Sequence, residues 1–139
     1  MSLILNFSTK NSQNMEKSVQ IFVIINFLVI GVSHLFQPHI WVDFFKFLRK
    51  YGNIGIFAYS FLSLSFGSII LAFHWVWEGI APSIITFFGV AQVIKSLIGF
   101  TIPEYSLKSI SRPIAENPNS YRVGGAVFLI LAIFFILAF

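Results

Sequence analysis

Four long apolar stretches, separated by more polar segments, dominate the pattern of hydrophobic and polar positions along this chain. A membrane hydrocarbon core of roughly 30 Å needs about 20 mostly apolar helical residues to cross it. The pattern therefore predicts four transmembrane helices, at about residues 19–36, 54–73, 80–102 and 123–139. Lys95 is the only formally charged residue within these limits.

The segments that follow the first and the third span are amphipathic. Their charged residues recur at spacings of three and four, as on one face of a helix: Asp43, Lys46 and Lys50 in the first segment, and Glu104, Lys108 and Arg112 in the second. Both segments are predicted to form interfacial helices that lie in the membrane surface. The turn-forming stretch ENPNS then leads into the fourth span.

Composition supports a membrane protein and excludes other classes. With 57% hydrophobic and only 10% charged residues, the chain has too few charges to cover a water-facing surface of its size. The formal charge of +4 does not indicate a nucleic-acid partner, because the basic residues are dispersed beside apolar segments. Membrane lipids are the expected partners, and no nucleic acid is expected.

Basic residues mark one side of the predicted bundle. Six lie on one side, namely Lys46, Arg49, Lys50, Lys108, Arg112 and Arg122, and two lie on the other, Lys10 and Lys17. Because basic residues collect on the cytoplasmic side, both termini are predicted outside the cytoplasm. Five of the residues are expected to contact anionic lipids, at about 1 kcal/mol each: Lys46, Arg49, Lys50, Lys108 and Arg112.

Aromatic residues stand close to the predicted span boundaries. Tyr and Trp prefer the membrane interface because their rings are part apolar and part polar. Six of them are predicted to be interfacial anchors: Trp41, Tyr51, Trp75, Trp77, Tyr105 and Tyr121.

The two halves of the chain resemble each other. Residues 28–41 (LVIGVSHLFQPHIW) align with residues 92–105 (QVIKSLIGFTIPEY) through a shared VI pair, a proline that ends the span and a following aromatic residue. The resulting units, 19–73 and 80–139, each hold two spans and therefore enter the membrane in the same orientation. The predicted fold is an all-α integral membrane protein of four transmembrane helices, arranged as two parallel-repeat hairpins.

The second half also resembles a known family. VIKSLIGFTIP and ENPNSYRVGGAVFLILAIFFILAF look like the YjeT-type family of small bacterial inner-membrane proteins, which are two-span hairpins. Pro103, Arg122 and Gly125 occupy the positions of the family's proline, arginine and glycine. Lys95 departs from the pattern, because the family has an acidic residue there. The resemblance implies a bacterial inner (plasma) membrane, a tandem two-hairpin version of the family, and neither catalytic activity nor cofactor.

Lys95 is the first candidate for a functional side chain. A charge inside hydrocarbon costs several kcal/mol unless it pairs, reaches the headgroups or faces water. Snorkelling to the headgroups is the structural interpretation. The functional interpretation is an intramembrane polar patch that could bind an anionic headgroup or line a permeation path. Its candidate members are Asn26, Ser33, His34, Gln92, Lys95 and Ser96.

Other site chemistry receives little support from the sequence. The chain has no cysteine, and its three histidines, His34, His39 and His74, lack the neighbours of a metal or heme site. No nucleophile, base and orienting group can be assembled, since Glu78 lies alone in a turn. We therefore predict no metal, no cofactor and no enzyme activity.

Small residues recur along the middle spans and indicate close helix packing. They are Ser60, Ser63 and Gly67 in the second span, and Thr86, Gly89 and Ser96 in the third.

The sequence predicts an N-terminal tail over residues 1–18, of which 1–14 could be an extension before Met15, and a single transmembrane domain over 19–139. The leading hypothesis is a non-catalytic accessory or scaffold subunit that associates with another membrane protein or with itself. The alternative is a small carrier or lipid-binding protein that uses the patch around Lys95.

Overall fold

The computed structural model is an all-helical protein, with no strand among the residues it describes. It describes the whole chain except the side chains of residues 2–8. The elements follow in order: α1 (Ser2–Phe36), α2 (Pro38–Lys50), α3 (Gly52–Phe73), α4 (Ile80–Thr101), α5 (Pro103–Ile110), a 3₁₀ turn (Pro113–Glu116) and α6 (Pro118–Ala138).

Four of these helices are long and apolar enough to cross a membrane: Thr9–Phe36 within α1, and the whole of α3, α4 and α6. The prediction of four spans in an all-α protein is therefore confirmed. The helix α6 begins five residues earlier than predicted, because Pro118 suits a first helical turn. The side chain of Asn117 accepts a hydrogen bond from the backbone N–H of Asn119 at 3.0 Å and caps that turn.

The first helix begins earlier in the chain than the sequence predicts. Residues 9–18 are helical and continuous with the first span, so they extend α1 and are not a separate tail. The prediction for the tail also covers residues 2–8, whose side chains lie outside the described residues.

The four spanning helices pack as two pairs, one of neighbours in sequence and one of the first and last helices. α3 packs mainly against α4, and α1 packs mainly against α6. The backbones approach closely at small residues: an added Cβ at Gly125 would lie 2.7 Å from the Gly31 carbonyl oxygen, and one at Gly67 would lie 2.8 Å from that of Gly89. The small residues therefore serve packing between the chain's own helices.

The amphipathic segments form α2 and α5, which each begin with a proline and lie at one end of the bundle. That end, called the basic end below, carries Lys46, Arg49, Lys50, Lys108, Arg112 and Arg122. Helix α5 stops at Ile110, before the predicted position of Arg112 on its charged face. The reason is Pro113, which forces the preceding Arg112 into an extended conformation with φ −69° and ψ 149°.

The hydrophobic core lies in the half of the bundle remote from α2 and α5. Its buried members come from all four spanning helices: Val19, Val23, Phe27, Ile70, Ala81, Ile85, Ala132 and Phe135. Phe27 lies at its inner limit, with edge-to-face contacts to Phe88 and Phe128 at ring-centroid distances of 5.0 Å. The half nearer the basic end is packed less completely and contains the cavities described next.

Candidate functional site

Lys95 reaches sideways from α4 to α3. Its Nζ donates a hydrogen bond to the hydroxyl of Tyr59 at 2.7 Å and lies 4.4 Å from the centre of the same ring. Lys95 is roughly 9 Å from the end of α4 at Thr101, and Tyr59 is roughly 10 Å from the start of α3 at Gly52, given a rise of about 1.5 Å per residue. The ammonium group is therefore held against the neighbouring spanning helix α3 by this hydrogen bond.

The positive charge of Lys95 has no carboxylate partner among the described residues. The ion pairs in that part of the chain are Lys46 with Asp43 and Arg49 with Glu116, both at the basic end. A phenol is neutral and accepts one of the three N–H bonds of an ammonium group. Two donors and a full positive charge thus remain for an external anion.

A cavity of about 370 Å³ lies beside Lys95 between α3, α4 and α5. We call it the lateral cavity, lined among others by Ile56, Tyr59, Lys95, Ile98 and Ile110. Its wall is mostly apolar, and Lys95 is the charged residue in it. Ile94, another lining residue, is 52% exposed on the outer surface of α4. The lateral cavity is therefore accessible from the surroundings of the bundle, which for a spanning helix are lipid.

A second cavity of about 310 Å³ lies between the helix pairs and beneath α2. We call it the central cavity, and its polar lining includes His34, Gln92 and Lys95. The remainder of the wall is largely aromatic. Tyr59, Ser63 and Lys95 line both cavities, so the bonded pair of Lys95 and Tyr59 forms part of the wall between them.

His34 is fixed by α1 and by α2. Its Nδ1 lies 2.8 Å from the carbonyl oxygen of Ile30, which can only accept, so Nδ1 carries the proton and donates. In the neutral ring, Nε2 is then an acceptor. The imidazole stacks on Trp41 at a centroid distance of 4.1 Å, and Trp41 Nε1 donates to the Ser33 hydroxyl at 2.9 Å.

The predicted polar patch is only partly assembled. His34, Gln92 and Lys95 meet at the central cavity, and Ser33 supports Trp41 beside it. Asn26 and Ser96 instead bond to carbonyl oxygens of their own helices, at 2.8 Å and 2.7 Å, and line neither cavity.

Sequence reasoning missed Tyr59. A weak signal exists, because Tyr59 and Ser63 are four residues apart and share one face of α3. Nothing in the sequence shows, however, that this face is opposite Lys95.

The predicted interfacial aromatics divide into two groups. Tyr51, Trp75, Trp77 and Tyr105 are each at least half exposed, as an anchor would be. Trp41 and Tyr121 are partly buried in contacts within the protein. The Tyr121 hydroxyl donates to the carbonyl oxygen of Ala115 at 2.9 Å.

Arg49 differs from the other basic residues that we predicted to contact lipid. Its guanidinium donates to the Ile110 carbonyl oxygen at 2.7 Å and to the Glu116 carboxylate at 3.2 Å. Its side chain is only 16% exposed. Arg49 therefore joins α2 to the end of α5, and Ile110 is also a wall residue of the lateral cavity.

We expect Arg49→Met to loosen α5. The bond to Ile110 is charge-assisted and mostly shielded, so its loss should cost about 1.5–3 kcal/mol, whereas the exposed Glu116 contributes little. Hydrogen exchange of the amides in Pro103–Ile110 should become faster. Lys46→Met is the control: its 4.0 Å ion pair with Asp43 is exposed and should add nothing measurable. Equal exchange in both variants would contradict this role of Arg49.

A separate polar cluster lies at the other end of the bundle, where α3 turns into α4. Thr86, which is fully buried, donates its hydroxyl proton to the Val76 carbonyl oxygen at 2.8 Å. The Thr86 hydroxyl oxygen also accepts a hydrogen bond from the Val76 N–H at 3.2 Å and lies 3.2 Å from Nδ1 of His74. Since the hydroxyl proton is already used, Nδ1 of His74 must be the donor.

This assignment leaves His74 Nε2 as a buried acceptor with no hydrogen-bond partner among the described residues. Burial lowers the pKa of His74, while its backbone hydrogen bond and the charge of Glu16 act in the opposite direction. In the described part of the chain, no three His, Asp or Glu side chains are grouped to hold a metal ion.

The geometry and hydropathy define a multi-pass α-helical membrane protein with a cationic cavity. No protein family, no curated protein and no solved structure matches the chain. The resemblance of its last third to the YjeT-type family stays a prediction.

Proposed function

We propose that the protein binds an anionic amphiphile in the membrane, with the ammonium group of Lys95 as the anchor for the negative charge. One observation carries this proposal: Lys95 is a charged residue whose backbone lies roughly 9 Å inside the apolar helix α4, and its hydrogen-bond partner is Tyr59, a neutral group. An isolated charge at that depth is costly, and an anion at the two remaining N–H donors would offset the cost.

The lateral cavity supports a partly apolar ligand. Its wall is largely apolar, and Lys95 is the charged residue in that wall. The exposed Ile94 lies on the side that is accessible from the lipid. An amphiphile has the same division, with one charged group and an apolar remainder. A small water-soluble anion would leave most of this wall unmatched, so it is a weaker fit.

The predicted accessory or scaffold role is the second hypothesis. It would need a surface for another membrane protein or for a second copy. The close backbone approaches at Gly31 with Gly125 and at Gly67 with Gly89 lie inside the bundle and lend that role no support. Under both hypotheses, amphiphile binding and the accessory role, we propose that the protein binds a partner and catalyses no reaction.

We further propose that the basic end faces the cytoplasm of a bacterial inner membrane, with both termini outside. The clustering of Lys and Arg at that end supports this orientation. In this orientation, α2 and α5 are interfacial helices with their charged residues at the headgroups.

We also infer that the chain is a tandem duplication of two parallel hairpins. A shift of 65 residues relates Pro38, which begins α2, to Pro103, which begins α5. The same shift relates the close contact between His34 and Gly125 to that between Gly99 and Ser60. The pairing of α1 with α6 likewise corresponds to that of α4 with α3.

Lys95→Met tests the binding function. We expect the purified variant to keep its helical content but to bind anionic amphiphiles at least tenfold more weakly, because charge-assisted bonds contribute about 1.5–3 kcal/mol. Delipidated protein would be offered oleate and dioleoylphosphatidylglycerol together, and retained molecules would be counted by native mass spectrometry. Lys17→Met, which removes an exposed lysine of α1 at the opposite end of the bundle, is the matched control and should bind like the parent protein.

Two results would overturn the proposal: equal retention by the parent and by Lys95→Met, or retention of neither amphiphile by the parent. Stable co-purification with a second membrane protein, unchanged by Lys95→Met, would instead support the accessory role.

A further inference from the structure

The ligand's headgroup is constrained by the groups that surround Lys95. Gln92 precedes Lys95 by three residues on α4, so both lie on one helix face, and both line the central cavity. No hydrogen bond of the Gln92 amide exists within the described residues, so its two N–H donors remain available in the central cavity, which Lys95 also lines. One positive charge and neutral amide donors match a headgroup with a single negative charge.

The size of the lateral cavity limits the apolar part. Its volume is about 370 Å³. A water molecule, which is close in size to a methylene group, occupies about 30 Å³ of the liquid, so there is room for on the order of a dozen methylene groups. This is most of one acyl chain and far less than two.

The depth of the site also favours a small headgroup. The backbone of Lys95 lies roughly 9 Å from the end of α4, and its ammonium group is bonded to Tyr59 of the neighbouring span. A diacyl phosphodiester keeps its bulky phosphate at the level of the helix ends, so reaching Lys95 would draw a large polar group into hydrocarbon. A carboxylate is the smaller anion, and a single chain lets it move inward.

We propose that the ligand is a long-chain carboxylate, with its chain in the lateral cavity and its carboxylate at Lys95, which lines both cavities, so that the Gln92 amide donates to the carboxylate from the central cavity. This inference rests on the proposed function and narrows it to one chemical class. Gln92 is then a specificity-determining residue, since it recognises the headgroup and not the chain.

The test compares three probes on the delipidated full-length protein: oleate, oleyl alcohol, which lacks the charge, and dioleoylphosphatidylglycerol, which has two chains and a phosphodiester. Affinities would be measured by titration in neutral phosphatidylcholine nanodiscs. We expect oleate to bind at least tenfold more tightly than oleyl alcohol, and phosphatidylglycerol to fail as a competitor. Gln92→Leu should weaken oleate binding about fivefold or more and leave oleyl alcohol binding unchanged.

Failure of this inference is distinguishable from failure of the proposed function. Lys95-dependent binding of phosphatidylglycerol with no binding of oleate would refute the carboxylate and keep the anionic-amphiphile site. Equal binding of oleate and oleyl alcohol would refute a role for charge and so refute both. An equal loss of both probes in Gln92→Leu would show a packing defect and overturn the role of Gln92 in specificity.

Discussion

Replacing Gly125 by valine is expected to destabilise the protein by about 3 kcal/mol, whereas the same change at the adjacent Gly124 should have little effect. An added Cβ at Gly125 would lie 2.7 Å from the Gly31 carbonyl oxygen and 2.7 Å from the Cβ of His34. Neither atom can move away without separating α1 from α6, and such overpacking costs about 1–3 kcal/mol or more. At Gly124, no atom lies within 4 Å of the added Cβ.

Reversible unfolding in mixed micelles, followed by circular dichroism as the fraction of denaturing detergent rises, would measure the difference. Similar midpoints for Gly125→Val and Gly124→Val would contradict the close packing of α1 on α6. Because the contact involves His34, the Gly125 variant should also disturb the central cavity. Its oleate affinity should therefore fall with its stability, while that of the Gly124 variant should not.

The second large effect is expected at the turn between α3 and α4. Thr86→Val keeps the side chain's shape but removes the hydroxyl that bonds Val76 and His74. Each buried polar group left without a partner costs about 1–3 kcal/mol, so we expect a total loss of about 3 kcal/mol. Thr101→Val is the control, because its exposed hydroxyl bonds only to the Leu97 carbonyl oxygen of its own helix. Equal stability of the two variants would show that the cluster does not hold the turn.

The same turn should make stability depend on pH. An unfolded histidine has a pKa of about 6.5, and burial lowers the pKa of His74 in the folded protein. The folded state then binds fewer protons, so its advantage is fully present above about pH 6.5 and is lost as the pH falls through the folded pKa. Unfolding midpoints measured from pH 8 to pH 5 should decline in the parent protein. His74→Gln should reduce this decline, and His39→Gln, exposed on α2, should not.

The spans could be predicted from the sequence because their length and apolar composition are local properties. Lys95 could be singled out for the same reason, as a charge among apolar residues needs no partner to be noticed. Its partner could not be identified, since the bond to Tyr59 depends on the pairing of α3 with α4. Both residues lie in apolar stretches without a feature that specifies which faces meet.

Two other residues show a similar limit. Trp41 has the composition and position of an interfacial anchor, yet it stacks on His34 and donates to Ser33, because α2 folds back over α1. The sequence predicts Thr86 as one small residue in a packing stripe, whereas its hydroxyl bonds the backbone of the turn that precedes α4. In each case the residue type was noticed, but its partner is set by how distant segments meet.

The pairing of α1 with α6 has a consequence for biogenesis. During synthesis the first span enters the bilayer well before the last one is made, so for that period its packing face can only contact lipid or another protein. The middle pair, α3 and α4, is joined by a short turn and can associate at once. Assembly should therefore begin in the middle of the chain and end when α6 displaces lipid from α1, which makes the first helix the one most dependent on an insertion chaperone.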